Sequence, residues 1–268
     1  MRALGLMCGA GPLPARMALE ARRQDWRIVA FTFPGATEPD GWADVVIPSR
    51  LEAMNPVLEA LAREQIKGML FSGKFWMGDL LGAATPDAAH ATMAARAGTL
   101  LDVNITRVIV ETLTAFGVEL LDQRPFFGDW LEPAGCCSKR EPTEAEWTDI
   151  RRGLAVTRLM AGAQIGQVVV VRRGVVSAVE AIEGTTEAIR RGTALGGPRA
   201  VIVKGVAPTH DFRFDTPGIG PDTLEAAVLG GAAVVAIAAG HVAIIERAAV
   251  VARADAAGIA LVSVDAAE

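Results

Sequence analysis

Five residues in the second half of the chain, Asp211-Phe212-Arg213-Phe214-Asp215, alternate two carboxylates and a guanidinium with two aromatic rings. In an extended segment, successive side chains point to opposite faces. Asp211, Arg213 and Asp215 would then share one face, with Phe212 and Phe214 on the other. A turn-rich segment, Thr216-Pro217-Gly218-Ile219-Gly220, follows, and Pro221-Asp222-Thr223 opens an apolar helical run from Leu224 to Leu229. Proline suits the first turn of a helix, and free N–H groups there favour anions such as phosphate. Carboxylates for a metal ion, a cation and a helix N-terminus are the parts of a phosphoryl-transfer site. The same alternation also fits a solvated, self-paired edge, and the pattern alone leaves both readings open.

The elements that must carry these residues read as α/β. Ala3 to Cys8 is a short buried strand, followed by Gly9-Ala10-Gly11, Pro12-Leu13-Pro14 and a helical pattern to Arg23. Strand, glycine turn and helix make the first half of a nucleotide-binding βαβ unit, although such turns also serve tight packing. Strands are expected at Trp26–Phe33, Asp44–Ile47, Lys67–Phe71 and Val118–Leu121, and helices at Asn55–Glu64, Ala88–Ala97 and Asn104–Phe116. This alternation predicts a parallel sheet. Ser72-Gly73-Lys74 follows one of these strands at its carboxyl end, where ligands bind in such sheets. Lys74 is either a phosphate contact or a solvated lysine. Phe75, Trp76, Met77, Leu80 and Leu81 form either a greasy wall or a buried helix face.

Residues 124–146 are rich in proline and glycine and read as the inter-domain connection. The expected organisation is a Rossmann-like N-terminal domain over 1–130, a linker over 131–145 and a smaller C-terminal α/β domain over 146–268. In the second domain Gln167–Val171 and Val175–Val179 form a β-hairpin around Arg172-Arg173-Gly174. Glu180 and Glu183 lie at the end of its second strand, three apart, so at most one lines the site. Glu183 precedes Gly184-Thr185-Thr186, a turn and helix N-cap, and is the one favoured. Lys204 ends the strand Ala200–Lys204. Further buried strands at Ala233–Ala238 and Ile259–Val264 flank a helix at Ala248–Ala257.

Composition narrows the classes. Half of the 268 residues are apolar, enough for large cores, and the net charge is −5 with no basic cluster beyond short pairs, which disfavours nucleic acid. Three cysteines, two of them adjacent (Cys136, Cys137), make a poor disulfide framework and point to a reducing compartment. Three scattered histidines offer no zinc-ligand spacing. Glycines and prolines interrupt the N-terminal apolar run, so a cytoplasmic protein is expected.

Several stretches together resemble the LpxI family, the UDP-2,3-diacylglucosamine pyrophosphatases, over nearly the whole chain. They are Gly5-Leu6 with Gly9 to Pro14; Ser72-Gly73-Lys74; Ile165-Gly166-Gln167; Ala178 to Thr185; and Asp211 to Asp215 with Pro217, Ile219-Gly220 and Thr223. The resemblance implies two α/β domains with a ligand site between them. It implies hydrolysis of the UDP-sugar pyrophosphate, with Mg2+ or Mn2+, to UMP and 2,3-diacylglucosamine 1-phosphate in lipid A synthesis. Water attacks the α-phosphorus. Asp215 matches the family's aspartate of metal-dependent catalysis; Asp215 and Asp211 would hold metal and water. Arg213 and Lys204 would steady phosphate charge, and Glu183 would be a second-line ligand or base. Substrate contacts are expected from Gly9, Gly11, Leu13, Pro14, Gly73, Lys74, Gly166, Gln167, Thr185, His210, Gly220 and Thr223. A lipid-linked nucleotide sugar as the small-molecule partner is compatible with a homodimer and with transient contact with the inner-membrane surface.

The chain also departs from the family pattern. Gln164 stands where members resemble Asp before Ile-Gly-Gln, and Thr186 stands where they resemble Asp after Glu-Gly-Thr. Ala207 replaces Lys before proline, and His210 replaces Gln before Asp211. Loss of charged groups near a site commonly costs orders of magnitude in rate. The expectation is therefore a divergent hydrolase. The alternative is a paralogue that binds a UDP-sugar or lipid without turnover, or that hydrolyses another nucleotide diphosphate.

Overall fold

The computed structural model describes residues 1–50, 52–74, 87–97 and 102–265, with backbone alone for 102–106. The apolar cluster from Phe75 to Leu81 lies outside the described residues. The chain forms two compact α/β units. One comprises Met1–Phe127 together with Asp211–Asp215, and the other Gly128–His210 with Thr216–Glu268.

The first unit runs β1 (Arg2–Cys8), α1 (Leu13–Arg23), β2 (Trp26–Thr32), β3 (Val45–Pro48), α2 (Asn55–Arg63), β4 (Ile66–Ser72), α3 (Ala88–Ala97), α4 (Asp102–Ala115) and β5 (Glu119–Leu120). Its sheet has the order β3-β2-β1-β4-β5, with every pair parallel. β1 is buried from Ala3 to Cys8, as a central parallel strand covered on both faces requires. Met17, Ala18 and Ala21 of α1 are buried, and Arg22 and Arg23 occupy its last turn, where cations complement the helix dipole. Met7, Val29, Phe31, Leu61, Met69 and Leu113 pack the core, and Phe214 joins them from far along the sequence. Strand order reverses between β1 and β4, and the carboxyl ends at such a reversal form the ligand crevice of open α/β sheets.

The second unit runs β6 (Gly135–Cys136), α5 (Glu144–Gly162), β7 (Val168–Arg172), β8 (Val175–Val179), α6 (Thr185–Gly196), β9 (Val201–Lys204), β10 (Gly218–Ile219), α7 (Pro221–Leu229), β11 (Val234–Ala238), β12 (Ala243–Ile244), α8 (Arg247–Ala257) and β13 (Ala260–Val264). The main sheet has the order β6-β13-β11-β9-β7-β8, and β10 pairs with β12 separately. The expected hairpin is present as β7 and β8, paired antiparallel. Arg173 and Gly174 both take positive φ, the geometry of a tight two-residue hairpin turn. The buried Asp149 carboxylate accepts from both of their N–H groups at 2.9 and 2.6 Å. Within the proline- and glycine-rich connection, Gly135–Cys136 adds an antiparallel edge strand to β13.

α5 begins with a reciprocal capping box between Thr143 and Glu146. Glu146 is only 6% exposed and also takes Arg140 at 2.7 Å and Arg199 at 2.8 Å. Burial pushes its carboxyl up, but the Thr143 N–H and Arg140 outweigh it and hold it below the usual 4.5. A depressed folded-state pKa adds stability above the unfolded value that is lost as pH falls through the folded one. Glu146→Gln is therefore expected to cost about 3 kcal/mol at neutral pH, since it leaves Arg140 largely buried beside a neutral amide. Urea titration at pH 7 and at pH 3 checks this: the gap between wild type and variant closes at the lower pH.

Candidate active site

At the carboxyl ends of β1 and β4 the two following loops lie backbone to backbone. Gly9 N–H donates to Ser72 O at 2.7 Å, and Ala10 and Lys74 exchange main-chain hydrogen bonds at 2.9 and 2.8 Å. A Cβ on Gly9 would lie 2.6 Å from Lys74 O. One on Gly73, whose φ is +84°, would lie 2.8 Å from Ala10 O. Both glycines are thus required by close approach of the loops. Gly11 also has positive φ, with open space around its Cβ position, and Thr37 Oγ1 bridges its N–H and C=O. Leu13 and Pro14 open α1, and Pro12 supplies no side-chain cap. Lys74 is exposed, and Ser72 Oγ is buried with no hydrogen-bond partner among the described residues.

The Asp211–Asp215 segment sits in this same unit, but not as a strand. Phe212 to Phe214 form a turn, closed by Phe214 N–H to Asp211 O at 3.3 Å. The expected alternation of faces is therefore corrected, because the backbone bends instead of extending. Arg213 folds back on Asp211 in a fork, Nε to Oδ1 at 2.9 Å and Nη2 to Oδ2 at 2.7 Å, and its own N–H donates to Oδ1 at 3.1 Å. This self-pairing is the second of the two readings open from sequence. Phe214 stacks on Phe71 of β4 with ring centroids 5.6 Å apart, so the turn lies beside Ser72-Gly73-Lys74. Asp215 closes the segment and is exposed, and Thr216, next in the chain, buries a hydroxyl without a partner among the described residues.

Asp122-Gln123-Arg124, after β5, was not singled out by sequence. Arg124 makes the same fork on Asp122 that Arg213 makes on Asp211, and its guanidinium lies 4.1 Å over the Phe212 ring. Burial raises the Asp122 carboxyl, the Arg124 fork more than reverses this, and the negative charge of Asp211 pushes the other way. The spacing Asp-x-Arg, repeated at 122 and 211, was the available signal.

In the second unit a chain of contacts gathers at the carboxyl end of β9. Lys204, 7% exposed, donates from Nζ to Thr185 Oγ1 at 3.2 Å, and Thr185 donates to Glu180 Oε1 at 2.8 Å. Glu180 Oε2 accepts the Gln167 N–H at 3.0 Å. A Cβ on Gly166 would lie 2.3 Å from Glu180 O, so glycine is needed there too. Gly166, Gln167, Thr185 and Lys204 are thus brought together, and the carboxylate joining them is Glu180. Glu183, favoured from sequence, accepts from its neighbour Ala181 N–H and from Arg191 at 2.5 Å. Hydrogen bonds from the main chain and from Arg191 hold its carboxyl below the usual range. His210 is half-buried, with its N–H on Ala207 O at 3.1 Å. Gly220 is the N-cap of α7 and Thr223 lies buried in its first turn.

Among the described residues no group of three His, Cys, Asp or Glu side chains is placed to hold a metal ion. Both oxygens of Asp211 are engaged by Arg213, which leaves Asp215 as the carboxylate of the pair outside that fork. Such a set suits magnesium only in the mode in which one or two carboxylates act together with substrate phosphates. A separate depression of about 320 Å³ in the second unit is lined by Arg140, Arg199, Arg253, Val228 and Gly258, and by none of the candidate site residues. It lies at the C-terminal ends of α7 and α8, whose carbonyls repel anions, and its arginines already answer Glu146, Glu225 and Ala233 O.

Glycinamide-RNase-transformylase T from Mycobacterium tuberculosis aligns at 15% identity with a TM-score of 0.26, over 65% of this chain and 43% of its own, too weak a likeness to carry an argument. The family model of the LpxI N-terminal domain matches residues 3–130, and that of the LpxI C-terminal domain residues 133–262. The UDP-2,3-diacylglucosamine pyrophosphatase LpxI of Caulobacter vibrioides is 32% identical over 99% of this chain and 98% of its own. With both domain models matched in order and the Caulobacter relative matched end to end, the chain belongs to the LpxI family.

Proposed function

We propose that this chain hydrolyses the pyrophosphate of UDP-2,3-diacylglucosamine to UMP and 2,3-diacylglucosamine 1-phosphate, a step of lipid A synthesis. The observation that carries the reading is the end-to-end match to the Caulobacter pyrophosphatase. Residues suited to phosphate chemistry at the strand ends of both units support it. A water oxygen forms a bond to the α-phosphorus, the bond from that phosphorus to the bridging oxygen breaks, and the water's proton passes to solvent. Asp215 accepts a hydrogen bond from that water and aligns it. Bound magnesium, held by Asp215 and by Asp211 once Arg213 turns to the substrate, would neutralise charge on the two phosphates. In the first unit Arg213 and Lys74 offer positive charge to phosphate oxygens, and in the second Lys204 offers the same at the end of β9.

No helix among the described residues is long and apolar enough to cross a membrane, which is compatible with action from the cytoplasmic side on a lipid-linked substrate. A second reading, a paralogue that binds the nucleotide sugar without turnover, is favoured by the engagement of both Asp211 oxygens with Arg213 and by Gln164, Thr186, Ala207 and His210. Purified protein with UDP-2,3-diacylglucosamine decides between them. Steady UMP release with Mg2+ that stops with EDTA is expected. Ligand-induced thermal stabilisation without UMP would leave the binding reading.

A further inference from the structure

Within the Asp211–Asp215 turn the Phe214 N–H donates to Asp211 O at 3.3 Å, and the Asp211–Arg213 fork is partly open to solvent. What seats the turn comes from about ninety residues away. Gln123 is 3% exposed. Its main-chain N–H donates to Phe212 O at 2.9 Å, and its carboxamide donates to Phe71 O at 3.1 Å and Arg213 O at 3.4 Å. One amide group therefore ties the end of β4 to the turn that leads into Asp215. A carboxamide has two N–H donors, and here both meet carbonyls. Arg124, next in sequence, is held by Asp122 and covers the Phe212 ring, so the same tripeptide also fixes the turn's aromatic side.

We propose that Gln123 is the positioning residue of this turn, setting where Asp211, Arg213 and Asp215 stand; the inference rests on the hydrolase reading of those residues. A glutamate at 123 would set a carboxylate against two carbonyl oxygens, and a methionine would fill the volume while donating to neither.

Gln123→Met and Gln123→Glu test it, with Asp215→Ala beside them. Because small misplacement of reacting groups is costly, both Gln123 variants are expected to lower kcat about 10- to 100-fold with KM within about 3-fold. Hydrogen exchange should accelerate in peptides covering 211–216, and stay unchanged in peptides covering β1 and β2. Wild-type kcat and exchange in Gln123→Met would overturn the proposal. So would faster exchange spread evenly over the first unit, which is the mark of a merely structural residue. If Gln123→Glu does not fold, Gln123→Met carries the test alone. Full activity in Asp215→Ala would remove the hydrolase reading of the turn, while the exchange result would still decide whether Gln123 seats it.

Discussion

Asp215→Ala is expected to lower UMP release by about 10³-fold with little change in stability. The size follows from the role: removing a group that aligns the nucleophile and would help hold the metal commonly costs orders of magnitude in rate. The small stability cost follows from exposure. Asp215 is open to solvent at the end of a turn, and substitutions at such positions usually stay within about 0.5 kcal/mol. Its neighbours in the turn behave differently. Asp211→Ala removes the acceptor for three donors of Arg213, so its activity loss would mix positioning with chemistry. Asp215→Asn is the sharper companion, because it keeps shape and hydrogen-bonding capacity while removing charge. Steady-state rates across a magnesium titration separate two contributions. A variant rescued by excess magnesium has lost affinity for the ion, and one not rescued has lost alignment of water. Turnover within about 3-fold of wild type in Asp215→Asn would show that the charge is not used.

The strands and their order of appearance were legible because parallel strands covered on both faces must be apolar along their length. β1 and β11 are such runs, and Arg173-Gly174 between β7 and β8 marked the hairpin through its turn chemistry. The conformation of residues 211–215 was not legible in the same way. Alternating charged and aromatic side chains fit a period of two, but the turn is imposed by Gln123 and by stacking of Phe214 on Phe71. Those partners lie about ninety and one hundred and forty residues away, where no local pattern points. The glycines were visible as ligand-approach signals. The structure gives Gly9 and Gly73 a second reason, mutual backbone contact of two loops. The choice of Glu183 over Glu180 rested on the nearness of Glu183 to a helix start. What sequence did not display was Arg191, eight residues on along α6, which takes the Glu183 carboxylate.

That last pair makes the choice between the two glutamates an experimental matter, and Lys204 is the residue through which it is read. Lys204→Met is expected to lower kcat/KM by about 10² to 10³, the loss that follows removal of a preorganised charge from a dry site. Lys204 is 7% exposed, and Coulomb interactions strengthen where water is excluded. Its position is fixed through Thr185 to Glu180, and Glu180 is fixed in turn by the Gln167 N–H. Glu180→Gln keeps an acceptor for Thr185 but removes the negative charge that helps hold a buried cation. A loss of about 10-fold is expected, shared between kcat and KM, because charge-assisted bonds are about twice as strong as neutral ones. Glu183→Gln touches an exposed pair with Arg191 and a local bond from the Ala181 N–H, and such exposed contacts contribute little, so its rate should stay within about 2-fold of wild type. Measuring all three at one magnesium concentration orders them as Lys204, Glu180, Glu183. If Glu183→Gln proves more damaging than Glu180→Gln, the carboxylate that serves Lys204 has been misassigned, and the contacts at the end of β9 serve packing instead of phosphate.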